Sequence, residues 1–516
     1  MLRTITIFLL LCCLVFAAKP VRTDKGLVAG VPATDPSVTV YKGIPYAAPP
    51  VGDLRWRAPR PAAPWKGVLK ADRFSKSCMQ ASASSLGPWT EEYMDQNERS
   101  EDCLYLNVWT AASQGKRPVL FWIHGGAFDQ GSTSVALYDG EGLARKGVVV
   151  VTTNYRLGLF GFLAHPELTR ESEARASGNY GILDLIAALK WVQANIGAFG
   201  GDPTRVTIAG QSAGSSAVHV LVASPLAKGL FHQAIAQSGS SASNRMRTLA
   251  DAEADGVKLM TAKGAKTLKE MRDMPVYQVL APVEVAVSRP GPVVDGWMLP
   301  ETPGAIFAAG KQNDVVTMTG YTADEGSSDS RYGKRTPEEF QSEVRRAAGG
   351  ASDLADEFLR LYPAATAGQA GVSQKASARD QNLVSMLLWA RQRAVHAKTP
   401  VYAYLWTHPV PGPKKDVYGA HHSAELGYVF NSLSRAKRPF EPLDREIADR
   451  TSSYWANFVR TGNPNGAGLP EWPVFDVSNP QVMELGERFA PRPLADPAKV
   501  KLFEAVLSKP ASPAGR

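Results

Sequence analysis

Gly210-Gln211-Ser212-Ala213-Gly214 reads G-x-S-x-G and joins two different patterns. Before it, Arg205-Val206-Thr207-Ile208-Ala209 is a short β-branched run of the kind that forms a buried strand. After it, Ser215 to Ala223 suits a helix. A serine at so sharp a strand-to-helix turn is strained and exposed, and the flanking glycines are small enough for the chain to turn there. The Ala213 N–H then opens a helix, where negative charge is stabilised. Five residues alone describe a Gly/Ser turn without chemistry just as well, so the flanking chain has to decide.

Upstream, Pro118 to Ile123 reads as a strand running into His124-Gly125-Gly126-Ala127-Phe128, a glycine turn whose backbone N–H groups can point at an oxyanion. Gly147 to Arg156 reads as a central parallel strand, apolar through its first half. Tyr180 to Ile196 has helical spacing and ends at Phe199-Gly200-Gly201-Asp202-Pro203. Phe231 to Gln237 is the next strand. From about residue 118 to 240 strands and helices alternate, which predicts a mostly parallel central sheet flanked by helices, with chemistry at the C-terminal strand ends.

Further out, Val38 to Tyr41 followed by Gly43-Ile44-Pro45 predicts an early strand and turn, and Glu101 to Trp109 an alternating strand. Ala47 to Pro64 is too rich in proline for a helix and is expected as extended surface chain. Val315 to Gly320 and Val401 to Trp406 are late strands, leading to Thr322-Ala323-Asp324-Glu325-Gly326 and to Gly419-Ala420-His421-His422. Tyr454 to Val459 suits a late helix. Residues 245–312 and 334–398 are helix-rich, polar insertions, expected to form a cap or wall.

The 516 residues are 44% hydrophobic and 21% charged, an ordinary globular composition. The net charge of +8 is scattered rather than clustered, which argues for solubility and against a nucleic-acid partner. Arg3 precedes an apolar run from Ile7 to Ala18, too short to span a bilayer and shaped like a signal-peptide core. Cleavage after Ala17 places Val15 and Ala17 at the small-residue positions. The expectation is a signal peptide over 1–17 and one exported domain over 18–516, periplasmic or secreted, with no further run of membrane length and no stable membrane anchor. Cys12 and Cys13 leave with the signal, so Cys78 and Cys103 are expected to pair, closing a loop that carries Trp89 and Tyr93 and overhangs a pocket. Closure over 25 positions contributes about 3–4 kcal/mol in the chain-entropy account.

A serine hydroxyl needs a base within reach. Of eight histidines, His124 belongs to the glycine turn, and His165, His219, His232, His396 and His408 lie in or beside elements and read as structural. His421 and His422 sit on a loop after a strand, and Asp324-Glu325 follows a strand between them and the serine. The order serine, acid, histidine is that of an α/β hydrolase.

On these residues the chain resembles the type-B carboxylesterases, the family of bacterial para-nitrobenzyl esterases, mammalian carboxylesterases and cholinesterases. Phe199 to Gly214 matches its serine signature and Glu101 to Trp109 its second, with Ala111 where proline is common. Tyr155-Arg156-Leu157-Gly158 and Gly178-Asn179-Tyr180-Gly181 are similar to family segments, with Leu185 in place of a frequent glutamine. The resemblance implies an α/β-hydrolase fold with large helical insertions around an active-site gorge. It implies Ser212 as nucleophile and Glu325 as acid. The register of Glu425-Leu426 and Tyr428-Val429-Phe430 selects His422 over His421 as base. It also implies oxyanion donors at Gly126, Ala127 and Ala213, a disulfide between Cys78 and Cys103, and no metal or cofactor. The expected reaction is hydrolysis of a small-molecule carboxylic ester through an acyl-enzyme. The alternatives are a specialised esterase on the same fold (feruloyl or aryl ester, mycotoxin ester, polyester) and a non-catalytic binding member. The oligomeric state is not read. Cholinesterases carry glutamate where Gln211 stands and tryptophan near Tyr93, so the family pattern implies weaker recognition of quaternary ammonium.

Overall fold

The computed structural model describes residues 19–81, 87–111, 114–239 and 246–508, and the expected signal segment 1–17 lies outside the described residues. Among the described residues eleven strands form one sheet. In chain order they are β1 (Val31–Pro32), β2 (Thr39–Pro45), β3 (Tyr105–Thr110), β4 (Arg117–Ile123), β5 (Val149–Thr153), β6 (Gly201–Gln211), β7 (Gln233–Gln237), β8 (Val316–Thr322), β9 (Val401–Trp406), β10 (Gln481–Leu485) and β11 (Ala490–Pro493). Across the sheet the order is β11-β10-β9-β8-β7-β6-β4-β5-β3-β2-β1. The seven strands from β10 to β5 are parallel, and antiparallel strands complete both sides.

The apolar runs explain the middle of the sheet. All five residues of β5 and six of the seven of β4 are buried, as expected of strands covered on both faces. Helix α1 (Tyr180–Asn195) continues as a 3₁₀ turn to Phe199 and stops where Gly200 takes φ +79°, a left-handed conformation that suits glycine. By length and composition this helix could cross a membrane, but Asp184 and Lys190 interrupt its apolar run and most of it is buried inside the protein. Asp184 of α1 takes two bonds from the Arg156 guanidinium, at 2.6 and 2.7 Å, and a third from the Arg156 backbone N–H at 3.1 Å. The pair is almost fully buried, and its multiple charge-assisted bonds offset the desolvation of both groups.

Several expectations are corrected. The Gly147 to Arg156 strand is parallel to β4 on one side but antiparallel to β3 on the other, because β3 belongs to the antiparallel N-terminal strands that complete that side. The predicted turn at Gly43-Ile44-Pro45 is the second half of β2, where a bulge between Tyr41 and Ile44 takes up the positive φ of Gly43. The Glu101 to Trp109 strand starts only at Tyr105 and is buried along nearly its whole length rather than alternating. The strand expected from Phe231 starts at Gln233. The proline-rich stretch is not all surface: Arg55 forks onto Glu101 with two 2.6 Å bonds, and Trp56 is buried with its indole N–H on the Leu159 carbonyl.

The insertions hold α2 (Ala213–Ala223) and the sheet from outside. Helix α3 (Leu249–Ala262) packs with Trp56, Phe160 and Tyr180 into a second apolar cluster. Helices α4 (Pro337–Ala347), α5 (Ser352–Leu361) and α6 (Ala367–Ala394) place Phe340, Phe358 and Trp389 into the main core. Helix α7 (Pro442–Thr461) adds Tyr454, Trp455 and Phe458.

Candidate active site

Five segments leaving the C-terminal ends of parallel strands converge on one cleft of about 320 Å3 or on the groups directly behind it. Strand β6 delivers Ser212, β4 the glycine turn, β7 Ser238, β8 Glu325 and β9 the loop to His422. Several backbones there are strained. Ala127, Phe128, Ser212, Ser238 and Ser423 all have positive φ, which non-glycine residues rarely adopt.

Ser212 sits at φ +60°, ψ −122°, between β6 and α2. Its N–H donates to the Gln237 carbonyl at 2.9 Å. The flanking glycines are required by close approach. A Cβ on Gly214 would lie 2.1 Å from the Ile123 carbonyl oxygen, and one on Gly210 2.5 Å from the Gly214 backbone.

Glu325 and His422 meet 97 residues apart in sequence, with His422 Nδ1 donating to Glu325 Oε2. A parallel bridge between Asp324 and His421 aligns the two loops, through Asp324 N–H to the Ala420 carbonyl (3.0 Å) and Ala420 N–H to Asp324 Oδ2 (3.1 Å). Glu325 Oε1 accepts from Ser238 Oγ at 2.6 Å and from the Thr322 N–H at 2.8 Å. Burial pushes the Glu325 carboxyl up, but the His422 charge and these donors more than reverse it, and the group is held below the ordinary carboxylate range. Burial likewise pushes His422 down, and the Glu325 carboxylate and its hydrogen bond carry it above the ordinary imidazole value. With Nδ1 carrying the proton, Nε2 is the acceptor, and it faces Gln211 Nε2 at 3.0 Å. His422 lines the same cleft as Ser212.

Gly126 and Ala127 line that cleft too, and the Ala213 N–H begins α2 directly after Ser212. Gly126 has φ +109°, and a Cβ there would lie 2.0 Å from the Gln130 carbonyl oxygen. Gln80 holds this turn, donating from Nε2 to the carbonyls of Gly131 (2.9 Å) and Cys78 (3.0 Å) while its Oε1 accepts from the Gly131 N–H (2.9 Å). Cys78 and Cys103 are joined in a disulfide, with Cα atoms 5.0 Å apart. The loop they close supplies Trp89 and Tyr93 to the cleft wall. Among the described residues this cleft is lined from 80–138, 211–212 and 422–426. Much of the apolar surface of 246–312 and 334–398 packs on the sheet and in the second cluster, and 246–312 also reaches the glycine turn, where Gly291 lies beside Phe128 and Arg289 pairs with the adjoining Asp129.

Behind His422 lie two further titratable groups. His421 is buried, and burial holds it down to about 4, so it is neutral and its Nδ1 donates to the His422 carbonyl at 2.8 Å. Glu425 is fully buried and, chiefly for that reason, pushed up to about 7. Its Oε1 accepts from Gln237 Nε2 at 3.0 Å, and Gln237 in turn accepts from the Trp455 indole at 3.1 Å. Ser238, Gln80 and Gln237 were not singled out by the sequence reading. The only signal for Ser238 is a serine just past a strand end, which is too common to select it.

Residues 17–499 match the Carboxylesterase family. The chain is 36% identical to a fumonisin B1 esterase of Sphingopyxis macrogoltabida, covering 90% of this chain and 86% of the relative. It is also 36% identical to the para-nitrobenzyl esterase of Bacillus subtilis, over 88% and 92% respectively. To an acetylcholinesterase of Bungarus fasciatus it is 32% identical, over 90% and 82%. A match of this extent, on a mostly parallel sheet that carries its serine at a strand-to-helix turn, means that the chain belongs to the type-B carboxylesterase family of α/β hydrolases and is a carboxylic ester hydrolase.

Proposed function

We propose that the protein hydrolyses carboxylic esters in two steps through Ser212, His422 and Glu325. The observation that carries this reading is the alignment of Glu325, held by Ser238 and Thr322, with His422 Nδ1 in the cleft that Ser212 enters. His422 Nε2 takes the Ser212 hydroxyl proton as Oγ adds to the ester carbonyl. The oxyanion is met by the N–H groups of Gly126, Ala127 and Ala213. Collapse of the tetrahedral species breaks the bond to the alcohol oxygen, which leaves with the proton from His422. Water then loses a proton to the same Nε2, adds to the acyl carbonyl, and the second collapse releases the acid and returns the proton to Ser212. Glu325 fixes the Nδ1–H tautomer and stabilises the imidazolium. For Nε2 to accept from Ser212, it has to release the Gln211 amide it faces at rest.

The cleft suits neutral or anionic esters better than choline esters. Gln211 brings a dipole and no charge beside Ser212, and the Tyr93 ring already has the Arg438 guanidinium 5.8 Å from its centroid. The 36% identity to a relative named for fumonisin B1 favours a second, narrower reading, a mycotoxin-type ester as natural substrate. The reading includes export: the segment 1–17 is removed and one hydrolase domain, 18–516, works in the periplasm or outside the cell, where the Cys78–Cys103 disulfide persists.

The test is covalent and kinetic together. An uncharged organophosphonate is expected to label Ser212, and Ser212→Ala to stay folded while losing turnover on the order of 10⁴-fold or more on a panel of butyrate esters. Within the panel the choline ester is expected to be the slower substrate. Labelling of another serine sinks the assignment.

A further inference from the structure

We infer that Trp89 is a positioning residue for His422 and that Arg438 is the staple that holds Trp89 in place. The inference rests on the hydrolase reading above and concerns how the disulfide-closed loop reaches its base. The His422 carbonyl has two lone pairs, and both are used. One accepts from its neighbour His421 Nδ1 at 2.8 Å, the other from the Trp89 indole N–H at 3.1 Å, from 333 residues away. The next residue, Ser423, is at φ +80°, so this peptide is held in a conformation the chain alone does not favour. The Trp89 ring also stands perpendicular to the His422 ring, with centroids 6.2 Å apart. Trp89 thus touches the base twice, at its backbone and at its ring edge, while lining the cleft.

Trp89 is partly exposed at the cleft, and hydrogen bonds to the chain around it add to its packing. Arg438 holds the chain on either side of it. Its Nη2 donates to the Pro88 carbonyl at 3.4 Å and to Thr90 Oγ1 at 2.6 Å, its Nε pairs with Glu92, and its Nη1 donates to the Pro411 carbonyl at 3.2 Å. The Arg438 and Glu92 side chains are 13% and 10% exposed, so solvent screens this pair little. One guanidinium fork therefore ties the residues before and after Trp89 to the 411 loop, a job a lysine point charge cannot do.

A tryptophan that merely fills the wall predicts a different outcome from one that holds the base. Trp89→Phe keeps an aromatic wall and deletes the N–H. Because His422 serves both acylation and deacylation, a displaced base lowers kcat whichever step limits. On p-nitrophenyl acetate, too small to use the wall, Trp89→Phe is expected to lower kcat about 5-fold with KM within about twofold. Five-fold is about 1 kcal/mol, the size of one hydrogen bond. The rate of phosphonylation by an uncharged organophosphonate should fall by the same factor at an unchanged Tm. Arg438→Met, or Arg438→Lys if the former does not fold, is expected to lower kcat similarly. Combined with Trp89→Phe it should add little, since both act on one contact. A Trp89→Phe enzyme with wild-type kcat and a changed KM, or fully additive losses in the double variant, overturns the inference. A wild-type protein that turns over no ester fails the hydrolase reading instead, and the inference with it.

Discussion

Ser212 and His422 line one cleft, yet they are held there by different physics. Ser212 hangs on β6, which is paired on both sides, and its constraints are backbone on backbone. They are the Gln237 carbonyl on its N–H, and the Ile123 and Gly214 backbones against the two flanking glycines. His422 lies on a loop after β9, and side chains hold it: Glu325 on its ring, His421 and Trp89 on its carbonyl. Ser212 is fixed by contacts that any sequence making this turn must satisfy. His422 is fixed by contacts that depend on particular residues elsewhere in the chain. The first kind of constraint is rigid and tolerates no added atom, and the second can be loosened by degrees.

The largest effect separates the two histidines. His422→Gln is expected to reduce kcat/KM by ~10³–10⁴-fold, as loss of a base does. His421→Gln, which removes one of two donors on a carbonyl, should keep at least about a tenth of the activity. Both are read as kcat/KM on one uncharged ester, and a reversed order would put the base at His421.

The rigid region is probed by Gly214→Ala. The added Cβ meets a carbonyl oxygen at 2.1 Å, and forcing the turn open is expected to cost ~3–5 kcal/mol of stability in urea unfolding. Gly197→Ala is the control, because nothing lies within 4 Å of its Cβ position and its φ is ordinary. It should be within ~0.5 kcal/mol of wild type. Equal stability of the two variants would mean that the elbow yields, and the contrast between the regions would fail.

The smallest effect concerns the charges behind His422. Burial raises the folded Glu425 from 4.5 to about 7. At low pH the carboxyl is protonated in both states and adds no pH-dependent cost. As pH rises from about 4.5 to about 7 the unfolded chain releases the proton first, so wild-type stability falls, by up to ~3 kcal/mol at ~1.4 kcal/mol per pKa unit. Glu425→Gln deletes that slope. Its stability relative to wild type should therefore grow between pH 5 and pH 8, while Ser212 phosphonylation at pH 7 stays within a few-fold. A constant difference across that range would place the Glu425 proton elsewhere.

The same contrast explains how much was legible in the sequence. The alternation from residue 118 to 240 and the strand preceding Ser212 anticipate the parallel centre because local pattern decides them. The direction of β5 relative to β3 was not legible, since pairing across a sheet edge leaves no mark inside the strand. Strand order narrows the acid and base to Asp324-Glu325 and His421-His422, and the resemblance picks Glu325 and His422, which the fold brings into contact. The sequence places Trp89 and Tyr93 on a loop over a pocket, and the resemblance sets Tyr93 near a family tryptophan, but neither reading ties Trp89 to His422. The loop's anchor, Arg438, is one arginine among many, and nothing near it in the chain distinguishes it.

The two margins of the eleven-stranded sheet are both short and both interrupted by proline. β11 is Ala490-Pro491-Arg492-Pro493, and β1 is Val31-Pro32. A proline has no N–H to offer, so neither margin presents the continuous row of donors on which an incoming strand would zip. The sheet is thereby closed to growth from another copy, a safeguard against strand-exchange aggregation during the interval when a chain of this length is still folding.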